Sequence, residues 1–171
     1  LMIFGGFDTT RNQLSLAMRT FAEHPEQWEL LRQQPDLAKN AVEEVMRVNP
    51  TVTWVTRETA TDFAYKDLTL PAGTTIHLFS LPAGSDPRKF EDPSFDITQQ
   101  RAPHFGFGGG IHHCIGHFVA RIDMREALKT LSSRMPNMRI GSGAQYLPDS
   151  GNTGAVVLPL EFTATPRLGV Q

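Results

Sequence analysis

The sequence predicts a mainly α-helical chain with small antiparallel β-sheets, an α+β class, and three observations carry that expectation. Apolar residues recur at helical spacing before position 50 and again after position 114. Between them, residues 51–57 and 74–81 alternate and are rich in Thr, Val and aromatic residues, with a Pro71-Ala72-Gly73 turn before the second run. No strand–helix–strand rhythm surrounds the glycine-rich stretch near residue 110, which argues against a dinucleotide-binding sheet.

In chain order, Leu14, Ala17, Met18 and Phe21 mark one face of a helix that continues to about Glu23, before His24-Pro25 opens the next segment. Its start has two readings. Gly5-Gly6 before Asp8-Thr9 is a helix start with an Asp or Thr cap, or lies within a longer helix running through Leu1 and opened locally at the glycines. Residues 25–33 read as a short helix with Trp28 and Leu31 inward. Pro35-Asp36 opens another that ends at Asn49-Pro50 and carries Glu44 and Arg47 on one face, three residues apart. A second extended piece lies at 62–70. Residues 82–103 are poor in pattern and rich in Pro, Asp and Gly, as in a long irregular loop packed on something fixed. Beyond Met138, glycines punctuate short β-rich runs, of which 155–162 is the clearest strand.

Composition bounds the function classes. The 171 residues, 40% hydrophobic, suit one soluble globular domain. A formal net charge of −2 and a pI near 6.3 give no reason to expect nucleic acid or an anionic membrane as partner. One cysteine excludes an intrachain disulfide framework and suits a reducing, cytoplasmic setting. No apolar run has the length of a membrane span, and Leu1-Met2-Ile3-Phe4 lacks the basic start of a signal peptide. The abrupt apolar opening is that expected of a fragment, or of a product lacking its N-terminal part.

The stretch 107–116 concentrates that only cysteine, three consecutive glycines and two of six histidines. Ile115, Phe118, Val119, Ile122, Leu128 and Leu131 follow at helical spacing, which places Cys114 at or near a helix N-terminus. Helix ends of that polarity stabilise a sulfur anion, as nucleophile or as metal ligand. Glycines let backbone approach a flat ligand and aim N–H groups at the sulfur. A nucleotide-binding glycine loop, a buried cysteine in a Gly-rich turn, and a zinc site of His112, His113, Cys114 and His117 are the other readings on local grounds.

The pattern Phe107, Gly108, Gly110, His112, Cys114, Gly116 resembles the haem-binding loop of the cytochrome P-450 monooxygenases. Gly-Gly-Phe-Asp-Thr-Thr resembles their oxygen-activating segment, which assigns the proton-handling acid and hydroxyl to Asp8 and Thr9. Ala-Val-Glu-Glu-Val-Met-Arg resembles their Glu-x-x-Arg helix, with Glu44 and Arg47 as a buried structural pair. Arg57, His104 and His112 match haem propionate contacts. Thr51, Val52 and Val55, with Asn152 and Thr153 in the Gly-Asn-Thr-Gly turn, match substrate contacts. Two departures stand out: the arginine usual just before Phe95-Asp96 is absent, and Gly84-Ser85 replaces the usual Asn-Arg before Asp86-Pro87. Arg101 is a candidate substitute that no local rule places.

These segments occur in the family's order across nearly the whole chain. The resemblance implies that residues 1–171 are the C-terminal haem-binding part of a single cytochrome P-450 domain of the soluble bacterial type, without its N-terminal half. It implies haem b held by Cys114, dioxygen and a small apolar organic substrate, and a ferredoxin- or flavodoxin-type electron donor, with no nucleic acid and no membrane span. Arg121, Arg125 and Lys129, at i, i+4 and i+8, are either a solvated face or a docking surface for that donor. The alternatives to a monooxygenase are a non-catalytic remnant with weak or no haem binding and a zinc-binding module.

Overall fold

The computed structural model describes residues 2–164. Helix α1 spans Met2–Glu23 without a break, so Gly5 and Gly6 lie within a long helix and not at its start; Leu1 lies outside the described residues. Thr9 Oγ1 donates to the Gly5 carbonyl at 2.6 Å, a side-chain bond that competes with the helix's own ladder at the glycines.

Helix α2 (Pro25–Gln33) starts on proline, whose missing N–H is not needed at that position. Trp28 and Leu31 point inward as expected, and the Trp28 indole donates to the Met135 carbonyl at 2.8 Å. The next helix is split: Pro35–Leu37 is a 3-10 turn, and α3 begins later than the sequence predicts, at Ala38–Val48.

Strand β1 (Trp54–Glu58) pairs antiparallel with β4 (Thr75–Phe79), setting Arg57 opposite Ile76. Between them β2 (Phe63–Tyr65) and β3 (Leu68–Leu70) form a hairpin turning through Lys66 at φ 54°. Both long strands are shorter than expected. Thr51 and Thr53 precede β1 because their buried hydroxyls are bonded to the 149–153 turn. After Phe79 the chain enters the short helix α4 (Ser80–Ala83).

Helix α5 (His117–Arg134) starts three residues after Cys114, whose carbonyl accepts the His117 N–H at 3.3 Å. Only the later part of the apolar spacing marks its buried face, where Leu128 is buried and Leu131 packs against the core. Met124, Leu128 and Ser132 are buried, whereas Ile115, Phe118, Val119 and Ile122 are exposed. At the C-terminal side, β5 (Arg139–Ile140) pairs with β8 (Leu160–Glu161), and β6 (Gln145–Tyr146) with β7 (Ala155–Val157). The single strand expected over 155–162 is thus two, parted at Leu158-Pro159, since proline has no N–H for a ladder.

Helices α1, α2, α3 and α5 share one core, built around Phe21, Trp28, Leu31, Val45, Met124 and Leu128, with Ile97 joining from the irregular 84–103 segment. None of the described helices is long and apolar enough to cross a membrane.

Candidate functional site

A cavity of about 700 Å³ opens between the N-terminal part of α1, the segment 51–57, the end of β4 and the cysteine loop. That volume lies within the roughly 300–1,000 Å³ usual for cofactor and ligand pockets. Thr9, Thr51, Val52, Val55, Arg57, Phe107, Gly108, Gly110, His112, Cys114 and Gly116 all line it. Asp8, His104, Asn152 and Thr153 do not.

The cysteine loop is shaped by its own backbone. Gly108 and Gly110 have φ of 71° and 62°, the left-handed region in which a side chain would be strained, and a Cβ on Gly110 would meet open space. The Gly108 N–H donates to the Phe105 carbonyl at 2.8 Å, and the Cys114 N–H to the Phe107 carbonyl at 2.9 Å. These bonds fold the loop so that Cys114 is an exposed free thiol at the cavity, just before α5. Among the described residues no group of three or more His, Cys, Asp and Glu is placed to hold a metal ion, so the zinc quartet has no supporting geometry.

Across the cavity, Gly5 and Gly6 leave space where side chains would stand. Asp8 turns away from the cavity within the same helix: its carboxylate takes Arg11 Nη2 at 2.8 Å and Asn12 Nδ2 at 3.3 Å. Buried Gln13 ties α1 to the substrate-side segment, donating to the Asn49 carbonyl and accepting the Thr51 N–H at 2.7 Å. Thr51 in turn holds the 152–153 turn. Its hydroxyl lies 2.5 Å from the Thr153 carbonyl oxygen and 2.9 Å from Asn152 Oδ1, and its own carbonyl accepts the Thr153 N–H at 2.8 Å.

Glu44 and Arg47 are both buried in α3. Two guanidinium nitrogens of Arg47 each lie 2.7 Å from a Glu44 oxygen, and the fork also donates to the carbonyls of Gly84, Pro93 and Ser94. Arg101 stands beside them, its Nε 3.4 Å from Glu44 Oε1 and its two terminal nitrogens donating to the Asp92 and Ser94 carbonyls. Arg101 thus brings a second guanidinium beside the Glu44–Arg47 pair, with its buried Nε near Glu44 but without a hydrogen-bond partner. Gly84 explains the second departure. A Cβ there would sit 2.0 Å from the Arg47 carbonyl oxygen, so only glycine lets the segment reach the fork.

Of the three cationic or hydrogen-bonding candidates, Arg57 and His112 line the cavity. His104 is buried instead beneath the loop, with Nδ1 accepting the Gly106 N–H at 3.0 Å and Nε2 facing Glu43 at 3.1 Å. Glu43 also takes Arg121 in a two-point ion pair, at 2.6 and 2.9 Å. Partial burial pushes the Glu43 carboxyl up, but the hydrogen bonds and charge of His104 and Arg121 outweigh it and bring it down to about 2. Sequence reasoning missed Glu43 and Gln13, and it placed Arg121 on an outward stripe. Of that stripe, Arg121 is engaged with Glu43 and His117, and Arg125 with Glu126. The one available signal for Glu43 is the doubled acid Glu43-Glu44.

An open thiol on a glycine loop, facing paired glycines of a helix across one cavity and backed by a buried Glu–Arg pair, defines a family, and comparison with known proteins gives the same answer. Residues 1–134 match the cytochrome P450 family, to which this chain belongs. It is 40% identical over 166 residues to luteothin monooxygenase of Streptomyces thioluteus, covering 95% of this chain and 41% of that protein. It is 34% identical over 164 residues to the biotin biosynthesis cytochrome P450 of Bacillus subtilis, covering 95% and 42%. Among solved structures, it superposes on CalO2 with a TM-score of 0.89 at 33% identity, covering 95% of this chain and 42% of that one. With the Bacillus subtilis bacillaene synthase cytochrome P450 PksS the TM-score is 0.90 at 30% identity, covering 95% and 43%. The chain thus spans about two fifths of the length of these relatives, and its helices and small antiparallel sheets match that portion of the cytochrome P450 fold.

The residues present suit the haem typical of the family. The cavity offers one exposed thiol, glycines that leave room for a flat face, and apolar side chains such as Val52, Val55 and Val119. Arg57 and His112 also line it, polar side chains that suit a group bearing carboxylates.

Proposed function

We propose that residues 1–171 form the C-terminal, haem-binding part of a single cytochrome P450 domain that works in the cytoplasm as a monooxygenase. The observation that carries the reading is the placement of Cys114, exposed at the cavity and bonded through its amide to Phe107. Haem b, when bound, supplies the activation of dioxygen and the transfer of one of its atoms to an organic substrate.

Cys114 would hold the haem iron through its sulfur, on a loop shaped by Phe107, Gly108, Gly110 and Gly116. Arg57 and His112 would hold the carboxylates of the macrocycle, and His104 would join them only by exchanging its bond to Glu43. Thr9, which lines the cavity, holds a proton at Oγ1, and Asp8 is the acid that restores it only by leaving Arg11 and Asn12. Thr51, Val52 and Val55 form a largely apolar wall that excludes water and receives a small apolar substrate, with Asn152 and Thr153 supporting it from behind through Thr51. Electrons come from a ferredoxin- or flavodoxin-type donor approaching the face of the cysteine loop.

The exposure of Phe118, Val119 and Ile122 favours a second reading, in which these residues alone bind haem weakly and do not turn over. Titration with haem, followed by absorbance, tests the proposal. One haem retained per chain, and lost in Cys114→Ser, supports it; equal retention by the variant contradicts it. Stoichiometric zinc without a haem band would instead identify a zinc module.

A further inference from the structure

We propose that Glu43 is a positioning residue for the cysteine loop: one carboxylate on α3 holds both His104 and Arg121, two side chains that neighbour the Phe107 ring, and through Phe107 it fixes the bond to the Cys114 amide. The inference rests on Cys114 being the thiolate ligand, as proposed above.

Geometry links these five residues. Glu43 receives Arg121 through two nitrogens, a fork-to-carboxylate match that sets orientation as well as distance. Held there, the Arg121 guanidinium lies over the Phe107 ring, 4.3 Å from its centroid, and donates to His117 Nδ1 at 2.6 Å. The Gly106 N–H occupies His104 Nδ1, so the ring proton is on Nε2 and points to Glu43. The Phe107 carbonyl then accepts the Cys114 N–H.

Shape fixes the same loop to the same helix. A Cβ on Gly106 would stand 2.7 Å from the Met46 carbonyl oxygen and 2.8 Å from Met46 Cε, so the loop is pressed on α3 where Glu43 grips it. Neighbouring residues of a helix point about 100° apart. Glu44 therefore faces Arg47 and the 84–101 segment while Glu43 faces the cysteine loop, and the doubled acid serves two different structures. Neither Glu43 nor Arg121 lines the cavity, so each acts through Phe107 and not on a ligand.

The test compares wild type, Glu43→Gln, Arg121→Lys and the double variant in the haem-loaded protein, reading the share of reduced, carbon monoxide-bound protein with the strongly red-shifted Soret band. Alkylation of Cys114 by iodoacetamide in haem-free protein and thermal melting are read in parallel. Either single change should lower haem affinity on the order of tenfold, as for other groups that orient a metal ligand, with loss of red-shifted band. Alkylation should change severalfold, and the double variant should match the singles because one linkage is broken in all three. Unchanged band and alkylation in a folded Glu43→Gln protein, or additive losses, would overturn the proposal. If Glu43→Gln does not fold, Arg121→Lys, which keeps the charge and loses the fork, decides it alone. Absence of a red-shifted band in wild type would instead remove the thiolate reading, and the alkylation rates would still judge the linkage between Glu43 and Cys114.

Discussion

The Arg101 guanidinium reaches the buried Glu44 carboxylate from 57 residues along the chain, with Nε 3.4 Å from Oε1, and both sit against the fork of Arg47. Two arginines thus surround one buried acid, and each also donates to carbonyls of the irregular 84–94 segment. A segment with almost no regular structure is held in place by these charges.

Removing one partner leaves the others uncompensated in the interior. Glu44→Gln is expected to lower unfolding free energy by about 3–5 kcal/mol. Arg101→Gln, which breaks bonds nearer the surface, should cost less, about 1–3 kcal/mol. Chemical denaturation of the two single variants and the double checks both values. The double should fall short of the sum, because the residues share one network.

Gly84 has no room for a methyl group against the Arg47 carbonyl oxygen. Gly84→Ala should therefore push the segment off the fork and cost about 1–3 kcal/mol by overpacking. Denaturant midpoints together with hydrogen exchange over 84–94 would show it, since exchange there should rise while the helical core stays protected.

Thr51 joins the segment before β1 to the 152–153 turn through its hydroxyl and carbonyl. Thr51→Val keeps the shape and loses the hydroxyl, at an expected cost of about 1 kcal/mol. Faster hydrogen exchange confined to 149–154 would mark the released turn.

Glu43 gives the protein an acid-sensitive contact whose facing groups are His104 and Arg121. Its carboxyl sits at about 2 when folded against an ordinary value of 4.5. A depressed value stabilises the folded state fully above the ordinary value, and that contribution is lost as pH falls from about 4.5 towards about 2. Denaturation midpoints across this window should fall further for wild type than for Glu43→Gln, and parallel curves would contradict the contact.

Local signals made much of this legible. The helical faces of Phe21, Trp28 and Leu31 follow from spacing, and the cysteine loop follows from glycines and a cysteine within ten residues. Contacts between distant segments were not legible. Glu43 and Arg121 lie 78 residues apart, and nothing near Arg101 points to Glu44. Spacing in α5 includes both the exposed Phe118, Val119 and Ile122 and the buried Leu128, and only packing shows that the core lies on the side of Leu128 and Met124. The strands at 51–57 and 155–162 were overlong because side-chain bonding by Thr51 and the missing N–H of Pro159 are tertiary and covalent limits on otherwise strand-forming runs.

Binding of haem iron by the Cys114 thiolate is read most directly from the absorption spectrum of the haem-loaded protein, reduced and exposed to carbon monoxide, beside a Cys114→Ser control. Thiolate ligation gives a strongly red-shifted Soret band in wild type that is absent from the variant; an ordinary, histidine-like band in wild type, or the same band in both proteins, would rule it out.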